Sequence, residues 1–189
     1  MKILIFFLIT LSLFSCGKKE IQIANLSKTR MGHYATEELE KYLNQAYTGI
    51  EFSVTDNPEA DIQFILSKQA KDLELDVLPM QKESFLITQK EGNVYVVAPD
   101  KRGLLNATYA LLEKLGFRFY ISEDIIPEPK KWTGFENWEM KDEPLTSERF
   151  LFNWHNFLSG CTGWNLEDWQ SWIDQANKMR YNGIMVHAY

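Results

Sequence analysis

The chain has 189 residues, 45% of them hydrophobic and 14% aromatic, which is enough to bury a core and excludes a disordered or collagen-like polymer. Acidic residues outnumber basic ones by 26 to 20, with no run of Lys and Arg interleaved with aromatics, so nucleic acid is excluded as an expected partner. Two cysteines far apart in sequence, Cys16 and Cys161, and three histidines suggest neither a disulfide framework nor a metal site, and no cofactor motif is present.

In chain order the first element is an address. Lys2 is followed by an apolar stretch over 3–14, roughly a dozen residues, which suits a signal-peptide core and is too short to span a bilayer. Leu13-Phe14-Ser15-Cys16-Gly17 resembles a bacterial lipobox, in which the cysteine thiol receives the lipid. The expectation is a leader over 1–16 and a chain held to a membrane of the bacterial envelope, periplasmic or surface-exposed, through acylated Cys16. The competing reading makes Cys16 the last residue of an ordinary secretory leader. The acidic body would not adhere to anionic headgroups by charge, so attachment would fall to the acyl chains.

Strands and helices then alternate. Ile21, Ile23 and Leu26 open a first strand; over 34–47, Ala35, Leu39, Tyr42, Leu43 and Ala46 share one helical face, with Glu37, Glu38 and Glu40 placed early, where the positive end of the helix dipole favours acids. Period-two alternation marks strands over 50–54 and 61–66, joined by the Asp56-Asn57-Pro58 turn. Segments 84–89 and 93–98 flank Lys90-Glu91-Gly92 and predict an antiparallel hairpin. A second helix carries Leu104, Leu105, Thr108, Leu111, Leu112 and Leu115 on one stripe, with Asp100 as its cap and Gly116 as its stop, and 117–120 is a short strand. Residues 17–126 thus predict an α/β domain, a mixed sheet with two helices packed on it.

From 127 to 146 prolines, clustered charges and Trp132, Phe135 and Trp138 read as a linker, its tryptophans either packed between domains or exposed as sugar platforms. Beyond it, a strand over 149–154, a helix bearing Leu166, Trp169, Trp172, Ile173, Ala176 and Met179, and a strand over 183–187 form one βαβ unit with parallel strands. Such a unit at 147–189 leaves strand edges unpartnered, and a full β/α barrel takes about 250 residues, so an incomplete (β/α)8 TIM barrel is expected.

Several of these stretches carry a family resemblance. Asp100-Lys101-Arg102-Gly103-Leu104-Leu105, then Tyr109-Ala110-Leu111-Leu112-Glu113, then Leu115-Gly116-Phe117-Arg118-Phe119-Tyr120 resemble the accessory α/β domain that precedes the catalytic barrel in bacterial α-glucuronidases, β-hexosaminidases and α-N-acetylglucosaminidases. The pattern is D-x-R-G-L-L, a helix, L-G-x-R-x-Y and a proline-bearing linker. Arg149 to His155, and the stretch containing Glu167-Asp168-Trp169 and Lys178-Met179-Arg180-Tyr181-Asn182, are similar to the start of those families' barrels; Asn156, Cys161, Thr162 and Trp169 resemble the α-N-acetylglucosaminidase version, and the N-terminal domain as a whole resembles the α-glucuronidase version equally well. The resemblance implies the N-terminal part of a glycoside hydrolase acting on poly- or oligosaccharide, inactive alone, because the families' catalytic carboxylates stand on later barrel strands. A non-catalytic glycan-binding or scaffold lipoprotein is the alternative.

Barrel sites are built at the C-terminal ends of strands, which makes Trp154, His155, Asn156 and His187 the candidate sugar-binding residues: aromatic rings stack on pyranose C–H faces and neutral polar groups read hydroxyls. The competing reading has Trp154 filling the barrel core and His187 as a satisfied interior histidine. Glu167, Asp168 and Asp174 fall on an outward helix and read as solvated acids, Cys161 as an inert buried thiol.

Overall fold

The computed structural model describes residues 19–71, 73–75, 80–135, 138–153 and 160–186. The stretch expected to be a leader, with Cys16, lies outside the described residues. In order, the elements are β1 (Lys19–Asn25), α1 (Arg30–Ala46), β2 (Tyr47–Thr48), β3 (Ile50–Thr55), β4 (Ile62–Leu66), α2 (Ser67–Ala70), β5 (Phe85–Lys90), β6 (Asn93–Ala98), α3 (Lys101–Lys114), β7 (Arg118–Phe119), β8 (Asp124–Ile125), β9 (Lys130–Lys131), β10 (Met140–Asp142), β11 (Phe150–Asn153), a 3-10 turn (Gly160–Gly163), α4 (Leu166–Lys178) and β12 (Gly183–Val186).

The main sheet has the order β10-β5-β6-β4-β1-β3. Its four strands β6, β4, β1 and β3 run parallel, β5 returns antiparallel to β6 through the expected hairpin, and β10 closes the edge antiparallel to β5. Alternation puts Ile21, Ile23, Ile62, Phe64, Val94, Val96, Phe85 and Ile87 on the face covered by α1 and α3, where all are buried. The opposite face holds a smaller cluster of Ile65, Ala70, Tyr95 and Val97.

Helix α1 begins at Arg30, four residues before the expected start at 34, because Thr29 Oγ1 accepts from Gly32 N–H (3.0 Å) and caps it. A Cβ on Gly32 would lie 2.4 Å from Ser27 Oγ and 2.6 Å from Asn25 Oδ1, so only glycine lets the polar turn 25–29 tuck beneath the helix start. The earlier start corrects the dipole reading of Glu37, Glu38 and Glu40: no acid stands in the first turn. Glu38 is instead buried, accepting from Tyr109 Oη at 2.9 Å and pairing with Lys41.

Asp100 caps α3 as expected, accepting from Arg102 N–H and Gly103 N–H while its second oxygen accepts from Glu83 N–H. At Gly103 a Cβ would meet Ser84 O at 2.3 Å and Ala98 Cβ at 2.8 Å, so the glycine sets how closely α3 approaches the sheet. Gly116 ends the helix at φ +112. The segment after it differs from the expected sheet strand: among the described residues β7 pairs only with β8, and Phe117 and Phe119 plug the end of the helix layer edge-on to Tyr42, each at 5.4 Å.

The proline-bearing stretch 127–146 lies along this domain. Its β9 pairs with β2, its β10 is the sheet's outer strand, and Trp138 is 1% exposed inside the main core, packed edge-on against Trp132. Both tryptophans are thus neither exposed platforms nor packing between domains: they pack within the sheet domain, against Tyr47, Phe52 and Phe135. Beyond them β11 and β12 pair in parallel, Phe150 opposite Gly183 through Asn153 opposite Val186, with α4 between them in sequence, as the expected βαβ unit requires.

Candidate functional site

The chemistry expected at the strand ends falls largely outside the described residues: Trp154, His155, Asn156 and His187 all lie there. What is described is the frame that carries them. The parallel register places Asn153, the last residue of β11, level with Val186, the last of β12, so both strands deliver the chain that follows to the same end of the pair. At that end Asn153 Nδ2 is buried and finds no acceptor among the described residues. Sequence reasoning passed over Asn153, although it sits beside Trp154 and obeys the same strand-end rule.

The opposite end of the pair is clamped to the sheet domain. Arg149, just before β11, donates from Nε to Arg180 O (3.0 Å) and from Nη2 to Glu83 (2.5 Å). Asn182, just before β12, donates from Nδ2 to both Glu83 oxygens at 3.1 Å and accepts from Arg149 N–H at 2.9 Å. Glu83, 7% exposed, is thus satisfied by partners on both strands. Arg102, from the D-x-R-G-L-L stretch, crosses to Asn177 Oδ1 (2.8 Å) and to the Tyr181 carbonyl. Burial, together with neighbouring Arg149, lowers its pKa despite the opposing pull of Glu83. The motif therefore has a physical meaning: Asp100 starts the helix, Gly103 brings it close to the sheet, and Arg102 seizes the next unit.

A second clamp joins α1 to α4. Lys178, its side chain 5% exposed, bonds Asp124 at 2.8 Å and Asp174 at 2.9 Å. Tyr42 Oη donates to Asp124 at 2.6 Å and Tyr34 Oη donates to Asp174 at 2.8 Å. Burial would raise the Asp124 pKa, but the hydrogen bonds from Lys178 and Tyr42 outweigh it and hold the carboxyl below the usual range; burial would lower Lys178, and its two carboxylates hold it up instead. Burial pushes the phenols of Tyr34 and Tyr42 well above their ordinary range, so both remain hydrogen-bond donors. Asp174, read from periodicity as a solvated acid, is in fact a docking residue. Asp168 closes a capping box with Asn165, and Glu167 is exposed in the first turn of α4.

Cys161 is buried and unpaired, as expected of an inert thiol. Trp164, Trp169 and Trp172 meet edge-on at 5.1–5.8 Å around the start of α4. Among the described residues no group of three or more His, Cys, Asp or Glu side chains is placed to hold a metal ion, and no helix is long and apolar enough to cross a membrane.

No protein-family model and no curated protein matches the chain. Solved structures do. The fold is similar to that of a family GH115 4-O-methyl-α-glucuronidase with specificity for decorated arabinogalactans (TM-score 0.65, 16% identity, covering 89% of this chain and 25% of that one). It is similar to the family GH20 β-N-acetylhexosaminidase of Streptomyces coelicolor (TM-score 0.58, 17% identity, 92% of this chain and 31% of that one). It is also similar to a family GH138 enzyme targeting pectin rhamnogalacturonan II (TM-score 0.55, 18% identity, 88% and 24%). The chain spans about a quarter to a third of the length of these proteins, and at such identities the likeness is one of fold. All three neighbours are glycoside hydrolases, and matches over 88–92% of 189 residues must extend past residue 146.

Proposed function

We propose that this chain is the N-terminal part of a carbohydrate-degrading glycoside hydrolase: an accessory α/β domain clamped to the first strand, helix and second strand of a catalytic β/α barrel. The observation that carries this reading is the single likeness running through both regions to three glycoside hydrolase families. The solvent-facing apolar side chains of the strand pair support it, since Phe150, Ile184, Met185 and Val186 are each 40–50% exposed, as barrel strands are before their neighbours cover them. In this reading 154–156 and 187 open the sugar site, Trp154 by stacking and His155, Asn156 and His187 by hydrogen bonding, with Asn153 Nδ2 offering a further donor. The general acid and base stand on barrel strands outside this chain.

The Leu13-Phe14-Ser15-Cys16 motif further supports a lipoprotein of the bacterial envelope, anchored by the acylated Cys16. Replacing Cys16 by Ser is expected to move the chain from the membrane fraction to the soluble one; an unchanged distribution would overturn the anchor. For the enzyme reading, the chain alone should release nothing above a no-protein control from aryl glycosides of glucuronic acid and N-acetylglucosamine. The same gene, read in frame past the Tyr189 codon, should encode further βα repeats and yield a product that turns over one of these glycosides. A stop codon there, with a cooperatively folding product, would sink the proposal in favour of a glycan-binding scaffold.

A further inference from the structure

The sheet domain has one end at which β1 and β3 start side by side, Lys19 opposite Ile50, and at which α1 and α3 stop. The β7–β8 hairpin closes this end. Phe119 packs inward against Tyr42, four residues before the last of α1, and Arg118 donates to Glu113 O at 2.8 Å across the final turn of α3. A Cβ on Gly116 would meet Pro127 Cβ at 3.5 Å, so the chain leaving β8 runs beneath the same helix end before Lys130 and Lys131 pair with Tyr47 and Thr48.

The hairpin carries large apolar side chains on its outside. Tyr120, Ile121, Ile125 and Ile126 are 42–48% exposed and fall within one short stretch of chain, where single exposed apolar residues would need no explanation but a cluster does. Ile125 is paired with Arg118, so it shares the face that looks away from the core past the end of α3. The chain ahead of β1 says what lies opposite that face. Three residues separate Cys16 from Lys19, a reach of at most about 10 Å, so an acyl group on Cys16 brings this end of the domain to the headgroups. The other end stands off by the length of β1, seven residues or about 23 Å. Charge does not choose the lipid, since exposed Lys130 and Lys131 are matched by exposed Glu123 and Glu128; the contact on offer is apolar.

We propose that the hairpin face bearing Tyr120, Ile121, Ile125 and Ile126 is a lipid-contact surface, seated among the headgroups of the bilayer that holds acylated Cys16, at the shallow depth of roughly 5–10 Å usual for interfacial apolar groups. The inference rests on the anchor reading and adds an orientation to it. A single tether lets a domain turn freely, whereas tether and hairpin together stand the sheet domain end-on to the membrane. It is independent of the hydrolase reading and would hold for a scaffold protein equally.

The test is thiol labelling of the full chain with a membrane-impermeant maleimide, on isolated membrane fragments and on the soluble C16S form. Cys161 is buried, so the introduced thiol is the one that reacts. I125C is expected to react at least about fivefold more slowly on membranes than in the C16S background, the ratio reporting how seldom the face stands clear of lipid. L166C, at a position 72% exposed on the βα unit, is expected to react alike in both. Protection should survive high salt, because the contact is apolar. Equal rates for I125C in the two forms, slow reaction in both, equal protection of L166C, or loss of protection in salt would each overturn the surface while leaving the anchor standing. A C16S chain that stays with the membrane, or an unaltered chain that never reaches it, would overturn the anchor and this surface together. Should I125C not fold, Y120C on the same hairpin is read in the same way.

Discussion

The sheet domain and the βα unit behind it are built from the same elements and held by different forces. In the sheet domain the inward face of every central strand meets a helix, and Ile23, Phe64, Leu39, Leu104 and Leu111 are wholly withdrawn from solvent. In the βα unit the strands keep 40–50% of Phe150, Ile184, Met185 and Val186 exposed, and what fastens them is charge: the Glu83 cluster beneath the strands and the Lys178 cluster beside α4. A core excludes water without regard to direction, whereas a charged clamp fixes one orientation. The first region therefore serves as a base, and the second as a part positioned on it.

The largest effect expected from this contrast is in the apolar base. Trp138→Ala should destabilise the sheet domain by about 3–5 kcal/mol, because it empties a fully buried ring site. Chemical denaturation measures it, and a loss below about 1 kcal/mol would mean that residues 138–142 are not part of the core.

Lys178→Met should follow. It leaves Asp124 and Asp174 facing each other without their cation, and since those acids are partly exposed the expected cost is about 2–3 kcal/mol rather than the full loss of a buried pair. Hydrogen exchange should show the loss in 166–186 while 19–66 keeps its protection; equal loosening of both would erase the distinction drawn here. The same clamp gives a pH signature. Asp124 titrates below its ordinary 3.8 in the fold, so its contribution is present above that value and is lost as pH falls through the lowered folded value. Lys178 titrates above its ordinary 10.5, so its contribution is complete below that value and is lost as pH rises past the raised one. Docking should accordingly hold across the neutral range and loosen at both extremes, the sheet domain's apolar core less so.

The smallest effect is expected on the open side. Leu166, 72% exposed, should accept Gln with a change within about 0.5 kcal/mol. A substantial loss by thermal unfolding would reveal that this flank is covered in solution.

Much of the architecture was legible because it is written in local patterns. Alternation located β3, β4, β5 and β6 to within a residue or so, the Lys90-Glu91-Gly92 turn made its hairpin, and Asp100 and Gly116 bounded α3 through groups that act on their own helix ends. The start of α1 lies at Arg30, ahead of the 34 that the apolar face suggests, because the Thr29 side chain caps the helix there. Segment 127–146 shows the limit of composition. Prolines and charges read as a linker, yet the segment supplies the sheet's outer strand β10 and buries Trp138 in the main core. Of the candidate sugar-binding positions, the rule about strand ends named Trp154, His155, Asn156 and His187, and the register of β11 with β12 supplies the parallel pair that the rule presupposes.

The chain's own order of residues determined which segments are strands and helices and where most of them stop, since periodicity, caps and turns act between residues near in sequence. Only the tertiary structure decided which ions meet. Glu83 lies 66 residues from Arg149 and 99 from Asn182, and Asp124 lies 54 from Lys178. Nothing in the local pattern ties such distant charges together. Their pairing follows once apolar burial has brought the two units face to face, where an unpaired charge withdrawn from water would cost more than the fold can spare.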